Sequence, residues 1–205
     1  MKNIIMATAL AAVALTACNN TDETKAGDTH DMAEHGDMMD SSMHHMDGSN
    51  PNGADHTGMM ENASMNPVMN AYFQVKNALA NDDAKEAAVA GNEVATAITN
   101  VDVTGFNTAQ KKMYEEVKPE IKDHAEHISS NGDEIAHQRE HFETMSKDLY
   151  DLVKVSGTSQ TMYYTHCPMY NNNKGASWLS EVKEIRNPYL GKKMPDCGTI
   201  KEELK

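Results

Sequence analysis

From Asn19 to about Asn66 the chain contains no Leu, Ile, Val or aromatic residue. Ordering a backbone costs about 1–2 kcal/mol per residue, and a segment with so little to bury cannot offset that loss. The core is expected from residues beyond Asn66. The expectation is a disordered tail over 18–66 and one domain over 67–205, long enough for a single core.

The start of the chain reads differently. Lys2 is followed by an apolar run from Ile4 to Leu15, interrupted only by Thr8, and then by Leu15-Thr16-Ala17-Cys18. The run has the length of a signal-peptide core and is shorter than the roughly 20 residues a spanning helix needs. Its ending resembles the bacterial lipobox. That resemblance implies removal of residues 1–17, a lipid on Cys18, and a protein tethered to a membrane in the cell envelope, facing the periplasm or the outside. The alternative is an ordinary secretory signal that happens to contain a cysteine. The net charge of −13 argues against a nucleic-acid partner and suits cationic ones, metal ions included.

The tail has an unusual content for a linker. Nine methionines and five histidines lie between His30 and Met69. They fall in local groups: Met38-Met39, then Met43-His44-His45-Met46, then His56 with Met59-Met60. Thioether sulfur is a soft ligand that favours Cu(I) and Ag(I), needs no deprotonation and cannot be lost to a disulfide; imidazole adds a borderline nitrogen. The composition therefore suits Cu(I) or Ag(I) capture. A plain solvated spacer and a histidine-led Zn²⁺ or Ni²⁺ role are the alternatives.

Beyond Pro67 apolar residues recur at helical spacing. Val68, Ala71, Tyr72, Val75 and Leu79 begin one stripe; Asn81-Asp82-Asp83 interrupts it, and Ala87, Val94 and Ile98 continue it. A second helix carries Tyr114, Val117, Ile121 and Ile128, with Pro119 expected to kink it or move its start. After the turn Asn131-Gly132, Asp133 is a candidate cap for a third helix bearing Phe142, Met145 and Leu149. The fold class is mainly α: a small antiparallel three- to four-helix bundle. Past Gly157 the periodicity stops, leaving an irregular segment with one or two short strands, the clearer at Thr161 to Thr165.

Chemistry-bearing residues of the domain form two groups. His166-Cys167-Pro168-Met169 and Met194-Pro195-Asp196-Cys197 twice place a cysteine near a methionine. Together they would offer two thiolates and two thioethers to a metal, with His166 nearby. Equally, Cys167 and Cys197 could pair as a disulfide closing a loop of about 30 residues, for roughly 3–4 kcal/mol. On the helices, His124 and His127 precede the turn, and His137 and His141 lie beyond it at i, i+4. Such pairs can share one ion, or can be merely solvated. No phosphate loop, nucleophile elbow or His-Glu-x-x-His helix is present, so the expectation is a binding protein and no enzyme.

Cys167-Pro168-Met169, Gly175-Ala176-Ser177-Trp178-Leu179-Ser180, Asn187-Pro188-Tyr189-Leu190-Gly191, Met194 and Cys197-Gly198 form an ordered string that resembles the family called domain of unknown function 3347. Ala78-Leu79-Ala80, Asp82-Asp83, Gln138-Arg139, Phe142 and Ser146 agree, so the resemblance covers roughly Val68 to Leu204. Members are exported bacterial proteins, alone or appended to adaptor subunits of heavy-metal efflux systems. The resemblance implies copper or silver handling beside an efflux adaptor or pump, with Cys167, Met169, Met194 and Cys197 as ligands. It also implies a free, tethered partner, since the adaptor's own barrel and hairpin regions are missing from this chain.

Overall fold

A computed structural model describes residues 63–205. Cys18 and the tail ligands Met38, Met39, Met43, His44, His45, Met46, His56, Met59 and Met60 lie outside the described residues.

Four helices form the bundle: α1 (Asn66–Ala80), α2 (Ala84–Thr99), α3 (Thr108–Ser130) and α4 (Ile135–Ser156). A short 3₁₀ turn, Ala63–Met65, leads into α1. Pro67 sits in the first turn of α1, where its missing N–H is one the helix would leave unpaired anyway. Two of the nine methionines grouped with the tail belong to the domain: Met65 and Met69 are buried in the core.

The stripe is broken between α1 and α2, as the interruption at Asn81-Asp82-Asp83 predicts. Asp82 takes a left-handed φ of 56°, which reverses the chain, and Asp83 caps α2 by accepting from the Glu86 amide at 3.0 Å. Gly91 lets α2 approach α3 closely: a Cβ there would stand 2.9 Å from the Ala125 carbonyl oxygen. Helix α3 opens on a capping box between Asn107 and Gln110, well before Pro119, and runs through the proline. Asp133 does not cap α4. The N-cap position is Glu134, one residue later, and it makes no side-chain capping bond.

The C-terminal segment is more regular than its sequence suggests. Three strands, β1 (Met162–Cys167), β2 (Ala176–Ser180) and β3 (Thr199–Leu204), make an antiparallel sheet in the order β2-β1-β3. The β1–β2 connection uses consecutive asparagines, Asn171, Asn172 and Asn173, at φ of 49°, 55° and 64°, a region asparagine tolerates better than most residues. In β2, Ala176, Trp178, Leu179 and Ser180 are all buried, so no polar alternation marks it. Mostly exposed β3 reads Thr-Ile-Lys-Glu-Glu-Leu, the charged composition that keeps edge strands from pairing with other chains.

One hydroxyl joins bundle and sheet. Tyr72 of α1 lies 2.8 Å from Ser146 Oγ of α4 and accepts from the Leu179 amide of β2 at 3.1 Å. At the sheet's other side, Tyr150 of α4 stacks on Tyr164 and donates to Glu202 of β3 at 2.6 Å. Bundle and sheet residues share one continuous hydrophobic core. Among the described residues no helix is long and apolar enough to cross a membrane.

Candidate metal centre

Helices α3 and α4 run antiparallel on either side of the turn at Asn131. The buried stripe of α3, Val117, Ile121, Ala125 and Ile128, leaves His124 half-buried at its margin and His127 exposed one turn on. From α4, His137 and His141 sit one turn apart and both half-buried. Folding the hairpin at the turn brings all four imidazoles together.

The rings touch in a defined order. Nδ1 of His124 lies 2.9 Å from Nδ1 of His141, and Nε2 of His141 lies 3.1 Å from Nε2 of His137. His127 stacks on His141 with ring centres 4.3 Å apart and planes 5° from parallel. One nitrogen from each of His127, His137 and His141 comes within 4.8 Å of the other two, a set that could hold a metal ion. Both helices of the hairpin thus contribute imidazoles to one group.

The electrostatics favour the neutral form of one of these imidazoles. Burial, helped by the charges of His127, His137 and His124, pushes His141 down to about 4. Its imidazole is therefore neutral at ordinary pH, with a lone pair to give. Carboxylates ring the cluster: Asp123 lies 3.8 Å from His127 Nε2, and Glu140 lies 3.5 Å from His137 Nδ1. Asp148 is raised by burial, which the charges of Lys147 and His124 oppose. A surface depression of about 480 Å³, lined by Asp123, Glu126, His127, Ser130, Asn131 and His137, gives an ion an open approach. These carboxylates escape a search for histidine spacing alone. Their signal is Asp123 four residues before His127 and Glu140 three after His137.

The other predicted group is only partly assembled. Cys167, at the end of β1, is fully buried, and its sulfur stands 2.6 Å from that of Cys197. Burial, with Cys167 beside it, pushes the Cys197 thiol up to about 11, against a backbone hydrogen bond from Met169. Met169 and Met194 are 50% and 38% exposed. His166 lies on the opposite face of the strand from Cys167, as adjacent strand residues do, and its Nδ1 pairs with Ser177 Oγ at 2.9 Å. It also fills the space beside Gly175, where a Cβ would come within 2.6 Å of the ring. The two sulfurs meet; the thioethers stand at the surface and His166 is engaged within the β1–β2 hairpin.

Two polar clamps were not visible in the sequence. Arg139 of α4 donates to the Leu79 carbonyl at 2.8 Å, to Asp82 at 2.6 Å and to the Pro188 carbonyl at 2.7 Å, so it ties the α1–α2 turn to the C-terminal loop. Lys76 of α1, fully buried, reaches Glu181 at 2.5 Å. Asp82 and Arg139 each stand in a recognisable motif; nothing in the spacing said that they meet.

The family model described as "Protein of unknown function (DUF3347)" matches residues 68–161. The match begins at Val68, where the resemblance begins, and ends before Cys167, so the C-terminal motifs lie beyond it. It contains all four clustered histidines. No protein of curated function and no solved structure matches the chain.

Proposed function

We propose that this is a lipid-anchored protein of the cell envelope that binds metal ions, its tail capturing Cu(I) or Ag(I) and its helical domain holding an ion at the α3–α4 histidines. The observation that carries the reading is the convergence of His127, His137 and His141, with nitrogens mutually within 4.8 Å. Separate support comes from Leu15-Thr16-Ala17-Cys18 for the anchor and from the grouped methionines and histidines for the tail. The ions are cargo, buffered or passed to a heavy-metal efflux system, a role suggested by the family resemblance. Metal uptake by the exported chain tests it: Cu(I) or Ag(I) bound by the tail and one ion bound by the helical domain are expected, and a chain that takes up no metal ion sinks it. Mass spectrometry of the N-terminus tests the anchor. An unlipidated Cys18 in the exported protein would remove that part of the reading.

The sulfurs of Cys167 and Cys197, free in the structure but 2.6 Å apart, supply a second reading, in which their oxidation to a disulfide staples an interaction module that docks on an efflux or envelope complex. It predicts a protein without titratable thiols whose melting temperature ignores copper.

A further inference from the structure

Both ring nitrogens of His141 face another imidazole, Nδ1 toward His124 at 2.9 Å and Nε2 toward His137 at 3.1 Å. The two contacts have different surroundings. Ligand nitrogens about 2.0–2.1 Å from one ion stand roughly 2.9 Å apart at a right angle and about 3.4 Å apart at the tetrahedral angle. The His137–His141 spacing falls between those limits, the separation expected of two ligands to one ion. The third nitrogen comes from His127, whose half-exposed side chain must turn out of its stack on His141 to bring that nitrogen to the ion. The group of three convergent donors does not include His124.

A neutral imidazole carries one proton. If Nε2 of His141 is the ligand, its proton is on Nδ1 and needs an acceptor. Nδ1 of His124, 2.9 Å away, is placed to be that acceptor. A metal-bound histidine that hands its other N–H to a fixed partner is held in one tautomer and one orientation. The donors are all nitrogen, with the carboxylates of Asp123 and Glu140 beside them and no sulfur in the group. Imidazole sets of this kind suit borderline divalent ions, whereas soft monovalent ions prefer thioethers.

Resting on the metal-binding reading, we infer that the α3–α4 site takes a borderline divalent ion such as Zn²⁺, Cu²⁺ or Ni²⁺ through His127, His137 and His141. His124 is a positioning residue that fixes the His141 tautomer. The chain then sorts two classes of ion, divalent at the ordered histidines and soft monovalent at the tail.

The test uses the exported chain and Zn²⁺ as the probe. Zn²⁺ affinity is measured by chelator competition, ring nitrogens are tracked by long-range ¹H–¹⁵N NMR, and folding of each variant is checked by its metal-free melting curve. The expectation is ligation at Nε2 of His137 and His141, with Nδ1 of His141 protonated. His137→Ala and His141→Ala should abolish the ordered site. His124→Ala should weaken Zn²⁺ by about 10–100-fold, the usual loss for an outer-shell partner. His124→Asn, which keeps an acceptor in place, should restore most of that loss. A ligated His124 ring, or His124→Asn as damaging as His137→Ala, overturns the positioning role. Zn²⁺ affinity untouched by His141→Ala, in a chain that still binds Ag(I), overturns the divalent site and leaves the metal-binding function standing. A chain that binds neither Zn²⁺, Ag(I) nor Cu(I) overturns both.

Discussion

At the scale of single residues the domain depends on polar groups whose partners are far away in sequence. A Cβ on Gly191, which has a φ of +53°, would overlap the Asp82 carboxylate that Arg139 holds. Gly191→Ala should therefore cost at least about 1–3 kcal/mol, from left-handed strain and from the displaced clamp, measured by urea unfolding. Glu181 makes a different kind of contribution. Burial works to raise its carboxyl, but the hydrogen bond and charge of Lys76 outweigh that and hold it below the ordinary value. Asp82 is likewise held low: burial is outweighed by Arg139 and the Lys192 amide. Both folded values lie below the unfolded ones of about 4, so their stabilisation is present above that pH and lost as pH falls through the lower folded values. Glu181→Gln should flatten the acid limb of the stability–pH curve. It should also cost about 3–5 kcal/mol at neutral pH, because it leaves Lys76 buried and unpaired. The double variant Lys76→Met, Glu181→Gln should recover much of that loss, since an apolar side chain replaces the stranded charge. No recovery in the double variant would mean that the pair's hydrogen bonds, and not its charges, hold the α1–β2 junction.

At the scale of elements, legibility tracked periodicity. The helices were readable because Val68 to Leu79, Val117 to Ile128 and Phe142 to Val153 repeat at helical spacing. Strand β2 was not, since burial on both faces removes the alternation that marks a strand, and β3 hides behind lysine and glutamate. The histidine pairs were legible as pairs. Their convergence was not, because it depends on the register of α3 against α4, which the turn at Asn131 and the buried Gln138 help to set. Gln138 bonds the Ala84 and Ile128 carbonyls at 2.8 and 3.0 Å, binding α4 to α2 and α3 at once. The close crossing of α2 on α3 gives a prediction at this scale. Gly91→Ala gains up to about 1 kcal/mol in helix propensity, but its methyl meets backbone at Ala125 and Ser129, and overpacking costs about 1–3 kcal/mol. The variant should be net destabilised in thermal unfolding; a stabilised variant would mean that the helices separate freely.

At the scale of the whole molecule one chain joins two kinds of chemistry: sulfur-rich groups before residue 63 and an imidazole site within the bundle. The burial of Met65 and Met69 fixes where the two can be cut apart, because removing Met65 would take core from the domain. A cut before Ala63 keeps the core whole. The most direct measurement is an anaerobic Cu(I) titration against a chelating dye, on the exported chain and on the chain cut before Ala63. A metal-capturing tail predicts several Cu(I) ions for the longer form and one or none for the shorter. If neither form competes with the dye, the tail is a spacer and Cu(I) capture falls, leaving the α3–α4 histidines to be judged by the Zn²⁺ test alone.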